Sequence, residues 1–320
     1  MLLVCITFPL LWVGGLVTST NAGMSVPDWP TTYGFNPFLY PLATWFWGPW
    51  DIFVEHGHRL LASLIGLVTI GLVVTTWFCE HRRWVFWTTL AALLLVIFQG
   101  VLGGLRVVLD ERTLAQLHGC VGPLFFALSV AIATFTSGWW SAAIPRRDSR
   151  AGGLKRLAIA TVAIAYLQLV LGTFVRHLSA GTSPGEFRFY AVFHLIVAAV
   201  LTAHIGLLGV RVVRHFSDFR LLMRPAIALV ALIMAQICLG AGTWLTHYGP
   251  PAWLADNSAW LARYTVEAGS LLQIHVTTAH VAFGSLILGN SLALALRSLR
   301  LLQAMPPTRT PEHILVEVSV

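Results

Sequence analysis

Residues 54–60 read Val-Glu-His-Gly-His-Arg-Leu and stand just before an almost purely apolar run. They bring a carboxylate (Glu55), two imidazoles (His56, His58) and a guanidinium (Arg59) to the mouth of a hydrocarbon segment. Ionisable and ligating groups in or beside a membrane core are costly and usually face a bundle interior. Three later apolar runs open in a related way, with His118 in "AQLHG", His194 in "AVFHL" and His275 in "LQIHV". A single histidine at such a depth is unremarkable. One at the start of every second apolar segment argues for a shared task, and axial ligation of haem is the chemistry that suits it, because the iron takes imidazole from both faces of a flat macrocycle. Zinc suits it less well, since zinc favours cysteine or carboxylate companions at short spacing. The repeat pairs His58 with His118 in one half of the chain and His194 with His275 in the other. Glu55 and His58 are three apart and share a helix face. His56 lies about 200° from His58, so His56 and Arg59 are expected to turn elsewhere. An ion pair between Glu55 and Arg59 is the competing use of the acid.

The elements that must position these residues are membrane spans. Hydrophobic residues make up 57% of the 320 and charged residues only 10%, against about 25% charged in soluble domains, and the mean hydropathy is +0.77. A spanning helix needs roughly 20 apolar residues. Eight candidates satisfy this, at about 1–20, 55–78, 84–106, 114–138, 154–176, 188–212, 223–246 and 269–296. The first lacks a basic flank and a cleavage motif, so it reads as a span and not a signal peptide. The expected fold is therefore an all-α polytopic membrane protein. Fourteen of the 20 basic residues fall on one side of these spans and six on the other, the six being Arg59, Arg106, Arg112, Arg176, Arg188 and Arg263. Both termini are then expected to be cytoplasmic, in a multi-pass protein of the cell (inner) membrane, with the histidine sites toward the outer side. The net charge of +7 reads as topology and contact with membrane lipid; nothing resembles an exposed basic domain for nucleic acid. Cys5, Cys79, Cys120 and Cys238 lie in or at the ends of spans, so no outer-loop disulfide can be drawn.

The chain divides into two sets of four spans: residues 1–140, a cytoplasmic linker 141–153, residues 154–297 and a tail 298–320. Gln-x-x-Leu-Gly recurs near the outer ends of spans three, five and seven, from Gln99, Gln168 and Gln236. Its glycines, Gly103, Gly172 and Gly240, serve either close helix packing or room for a cofactor. Of the other histidines, His81, His215 and His313 fall in cytoplasmic segments, and His177 and His247 end spans at the outer interface. His204 and His280, deeper in spans six and eight, read as interhelical hydrogen-bond partners.

These motifs together resemble the haem A synthase family. The resemblance rests on "GGLVTSTNAGMSVPDWPTTYG" (14–34), the Glu-x-x-His-Arg pattern of Glu55, His58 and Arg59, the Gln-x-x-Leu-Gly repeats and the four histidines, and it runs from about residue 10 to residue 295. It implies eight transmembrane helices in two pseudo-symmetric four-helix bundles. It implies an oxidoreductase that converts haem O, supplied by a haem farnesyltransferase, to haem A by oxidising a porphyrin methyl to a formyl group. It implies haem b on His194 and His275, the substrate haem on His58 and His118, and catalysis at Glu55, where a partly desolvated carboxyl can accept or relay protons. Arg59 is then directed toward Glu55 or a haem propionate. Many members carry an outer-loop cysteine pair that this sequence lacks, which leaves the electron donor unspecified; a homo-oligomer is compatible. The aromatic segment 35–53 is expected to lie on the bundle as a lid or as an interfacial anchor.

Two other classes use paired histidines in membrane helices. A di-haem b-type quinol-oxidising carrier has no need of a carboxyl beside one iron, and a haem-delivery scaffold leaves its haem chemically unaltered. Prenyl transfer is disfavoured, because Asp28, Asp51, Asp110, Asp148, Asp218 and Asp256 are all isolated and form no metal–diphosphate motif.

Overall fold

The computed structural model describes residues 1–179 and 181–304; Arg309 and His313 lie outside the described residues. Eight helices in it are long and apolar enough to cross a membrane. They are α1 (Leu2–Ser19), α2 (Trp50–Cys79), α3 (Arg83–Val108), α4 (Arg112–Phe135), α5 (Ala151–Arg176), α6 (Pro184–His215), α7 (Arg220–Tyr248) and α8 (Leu271–Leu301). Helix α2 starts five residues earlier than the apolar run suggests, directly after Pro49, whose ring suits the position preceding a first turn. Helix α6 starts at a capping box in which Ser183 and Glu186 satisfy each other's backbone N–H.

Packing follows chain order in two closed rings. Helix α1 packs on α2, α2 on α3, α3 on α4 and α4 back on α1; α5 to α8 repeat the cycle. The rings meet where α8 packs against α1 and α4, and where α4 meets α5. The best-packed apolar layer lies at the end of the molecule that carries residues 137–150. There Leu154, Ile205, Leu208, Phe216, Leu222, Leu294 and Leu302 are buried together in the second ring, and Leu3, Ile65, Ala92, Phe125 and Ile132 in the first. At this end strand β1 (Arg146–Asp148) pairs in parallel with β2 (Leu302–Ala304), a tie between linker and tail that the apolar pattern does not announce. In the turn between α2 and α3, hydrogen bonds from Arg82 hold the pKa of Glu80 down to about 2. The opposite end, called here the loop-one end after residues 20–49, holds the buried Glu55 and His56.

Residues 35–53 fold as a short 3₁₀ turn (Pro37–Leu39), a short helix (Leu42–Trp47) and the start of α2. Tyr40 and Trp45 press on His56 from two sides, and Trp45 Nε1 donates to the Phe53 carbonyl at 3.1 Å. Phe38, Leu39, Leu42, Phe46 and Trp47 remain exposed. One face of the segment thus covers the bundle while the other offers apolar surface suited to a membrane interface.

Candidate haem sites

The first ring brings His58 of α2 and His118 of α4 face to face. Their ring centres are 6.5 Å apart with planes at 81°. His118 is oriented by a reciprocal clasp with α3. Its Nδ1 stands 3.1 Å from the Gln99 carbonyl oxygen, and the Gln99 amide donates to the His118 carbonyl at 3.1 Å. A carbonyl can only accept, so Nδ1 carries the proton and the Nε2 lone pair is left free for a metal. Two glycines seat the rings: a Cβ at Gly14 or Gly103 would stand 3.0 Å from Cε1 of His58 or His118 respectively. Close approach of the imidazoles therefore accounts for the glycines of the repeat.

The second ring is built alike, with one partner different from that expected. His194 of α6 faces His280 of α8, ring centres 6.3 Å apart with planes at 69°. The Gln236 amide donates to the His280 carbonyl at 2.9 Å, and the Gln168 amide lies 3.1 Å from both His194 ring nitrogens. Gly172 and Gly240 seat these rings at 3.1 Å. His275, expected opposite His194, is instead exposed near the start of α8. It precedes His280 by five residues, roughly 140° around the helix. The match of "LQIH" to "AQLH" is misleading, because Gln273 is spent on the helix start: it donates to the Thr246 carbonyl and accepts from the Gly269 N–H, both at 2.7 Å. The true correspondence is "HGCVG" from His118 with "HVAFG" from His280. Gly122 and Gly284 in these stretches face the Gln99 and Gln236 amides. This His-x-x-x-Gly spacing was the available signal for His280, which its depth alone had marked as a packing residue.

The remaining histidines behave differently from these four. His177, His204 and His247 each place Nδ1 2.9 Å from the carbonyl four residues back in their own helix, which satisfies them locally.

The paired rings suit a porphyrin iron. A metal–imidazole bond is about 2.0 Å, so two rings on opposite sides of one ion have centres roughly 6 Å apart. Among the described residues no cluster of three or more His, Cys, Asp or Glu could hold a bare metal ion, so the remaining ligands must come with the guest, as they do in a macrocycle. His58 Nδ1, His280 Nδ1 and the Oε1 atoms of Gln99, Gln168 and Gln236 are also buried without a partner among the described residues, which marks both pairs as polar and incomplete by themselves.

Among the described residues, a buried acid stands beside the first pair only. Glu55 is 2% exposed, one turn before His58. Its Oε2 accepts from the Val26 N–H at 2.9 Å and its Oε1 from Arg59 at 2.8 Å. Arg59 does not turn away from the acid: as its i+4 neighbour it joins it, and it also donates to the carbonyls of Val26, Asp28 and Thr31 at 2.6–3.0 Å. His56, buried, binds the Thr32 hydroxyl through Nδ1 at 3.1 Å. Residues 26–32 are thus drawn down onto α2 by three of the four polar side chains of the opening motif. Arg106, one turn beyond Gly103, donates to the Gly23 carbonyl at 3.2 Å, and Trp29 packs on Gly104 so closely that no Cβ would fit there. Within the loop, Asp28 accepts from the N–H groups of Tyr33 (2.7 Å) and Gly34 (2.8 Å) and from the Thr31 hydroxyl. Burial raises the Asp28 pKa, but these hydrogen bonds outweigh it and hold the carboxyl below its usual range.

The sequence is similar to those of known proteins. A family model described as COX15-CtaA, cytochrome oxidase assembly protein, matches residues 50–191. The Heme A synthase of Halalkalibacterium halodurans is 24% identical over 74% of this chain and 83% of its own length. That of Rhizorhabdus wittichii is 26% identical over 77% and 84%, and that of Geobacillus kaustophilus 22% identical over 96% and 93%. The match spans Glu55, His58, Arg59 and His118, and three relatives aligned over most of their length share one name, so over these residues the chain is similar to the COX15-CtaA cytochrome oxidase assembly proteins.

Proposed function

We propose that this chain is a haem A synthase, oxidising a methyl group of haem O stepwise to the formyl group of haem A. One observation carries the reading. The molecule holds two imidazole pairs of nearly equal spacing, and only the first lies beneath a loop clamped by a buried acid. The name shared by the relatives supports it. Each four-helix ring is then one porphyrin unit. His58 and His118 hold the substrate, haem O delivered by a haem farnesyltransferase, and His194 and His280 hold haem b. Bound there, haem b supplies one-electron transfer.

The protein residues do the rest. Gln99 and Gln236 fix the orientation of one imidazole in each pair, and the glycine seats set its depth. Glu55, Arg59 and Arg106 hold loop one over the first pair and limit water at the reacting edge. Glu55 receives or relays the protons released as the methyl group is oxidised, and Arg59 holds it in place. The excess of basic residues at the linker end supports cytoplasmic termini, with both pairs toward the outer face of the membrane.

The test is pigment analysis by mass of the full chain purified from cells that make haem O. Haem B together with haem O, a hydroxylated intermediate or haem A is expected. Haem B alone, with no haem A formed in the cells, would sink the reading in favour of an electron carrier.

A further inference from the structure

Three arginines stand at the loop-one end beside the histidine pairs, and one of them has donors to spare. Arg59 and Arg106 are engaged with the carbonyls of loop one. Arg176, in the last turn of α5, reaches across the seam between the rings. Its Nη2 donates to the Gly15 carbonyl at 2.9 Å and to the Ser19 hydroxyl at 2.8 Å. Its Nη1 is wholly buried and has no partner among the described residues. Nor is any described carboxylate within ion-pair reach of it. A buried guanidinium with unmet N–H groups and no counter-charge is costly, and an anion arriving with a guest would relieve it.

The position indicates which guest. Gly172, four residues before Arg176 on the same face of α5, is the seat of the His194 ring. Arg176 therefore stands one turn from that imidazole toward the loop-one end. From the other side, the Ser19 hydroxyl that Arg176 holds also accepts from Thr278 at 3.0 Å, and Thr278 is two residues before His280. The Oγ1 atoms of Thr243 and Thr277, in the same half, are likewise buried without a partner among the described residues.

We infer that Arg176 binds a propionate carboxylate of the porphyrin held between His194 and His280, using the Nη1 donors that the protein leaves unmet. The inference rests on the second pair holding a porphyrin, as proposed above. A planar guanidinium offers donors matched to a carboxylate edge. The propionates lie along one edge of the macrocycle, so this contact fixes which edge turns toward the loop-one end. It also places a positive charge beside the second site at the boundary with the first ring. Arg176 is a positioning residue: it touches the guest's side chain and not the iron or the reacting methyl.

The experiment uses the full chain in detergent, produced without haem and then loaded with haem B or with its dimethyl ester, which has no carboxylates. In wild type the ester is expected to bind the second site about tenfold more weakly than haem B. Arg176→Gln should weaken haem B by a similar factor and leave the ester unchanged, while Arg176→Lys recovers part of the loss. The midpoint potential of the bound haem should fall in Arg176→Gln, because removing a positive charge favours the oxidised iron. Equal binding of acid and ester by wild type, or an unchanged potential in Arg176→Gln, overturns the inference. If Arg176→Gln does not fold, the comparison of acid with ester in wild type decides alone. A bis-imidazole spectrum that is lost in His280→Ala but indifferent to Arg176 refutes only the propionate contact. Absence of that spectrum in wild type refutes the porphyrin reading itself. An ester that binds weakly while phosphate competes with haem B assigns Arg176 to a phosphate, and this too overturns the inference.

Discussion

At the scale of the residue, His275 and His280 show how little sequence distance separates an imidazole of a facing pair from one outside it. Both are imidazoles on α8, but only His280 faces His194, at 6.3 Å between ring centres. His280→Ala is expected to remove about half of the bound haem, one of two sites, while His275→Ala leaves the haem-to-protein ratio and the spectrum as in wild type. The reverse result would return the second site to His275. Glu55→Gln keeps the shape and one hydrogen bond to loop one, so it separates proton handling from clamping. Haem content should stay within wild-type range while haem A formation falls at least tenfold, the usual scale for a lost acid–base group; unchanged haem A accumulation would leave Glu55 as a clamp alone. His58, His118 and His194 were legible because each opens its apolar run. His280 was hidden because a Gln-x-His tripeptide recurs at the wrong place on α8, and sequence spacing alone cannot say which glutamine is already committed to a helix start. The Glu55 clamp was only half legible. Arg59 was visible as a partner, whereas the Val26 N–H is main chain and leaves no mark in the sequence.

At the scale of the element, the odd helices provide seats and the even helices provide histidines. Gly103→Ala and Gly240→Ala each put a methyl about 3 Å from a ring carbon, and overpacking of this kind typically costs about 1–3 kcal/mol. Each is expected to lower haem occupancy in its own ring only, read as loss of haem per protein in Gly103→Ala at the first site and in Gly240→Ala at the second. Equal loss at both sites, or none, would make the glycines simple packing residues. Loop one is a different kind of element, held by hydrogen bonds and not by an apolar face. Asp28 organises its turn with a lowered pKa. Its stabilising share is therefore present above the ordinary carboxylate pKa of about 4 and lost as pH falls through the lowered folded value. Limited proteolysis of loop one should accelerate on acidification below about pH 4. Asp28→Asn should show the faster cleavage already at neutral pH and little further change on acidification. A variant cleaved at the wild-type rate at neutral pH would count against Asp28 as the organiser.

At the scale of the whole molecule, the eight helices were legible because lipid demands long apolar runs with all backbone groups satisfied within the segment. The run boundaries were less so: α2 begins before its apolar stretch because Pro49 and the aromatic segment start the helix in the interface. The pairing of β1 with β2 was illegible, since three residues of main-chain ladder need no side-chain pattern. The charge asymmetry predicts that a reporter fused after residue 320 is active only when cytoplasmic-facing; activity of a periplasm-dependent reporter there would invert the proposed topology. Helix α8 is the most enclosed of the eight, with 61% of its apolar window buried against 17–44% for the others. It packs on α1 and α4 as well as on α5 and α7, and it carries His280. It is also the eighth of these spans in chain order. The first imidazole pair is complete once α4 has inserted, but the second waits for α8, and so does the seam that joins the rings. Assembly is therefore ordered by synthesis: under the proposed function, a chain interrupted before α8 has the means to take up one porphyrin and not the other, and its first bundle faces lipid where its neighbour should be.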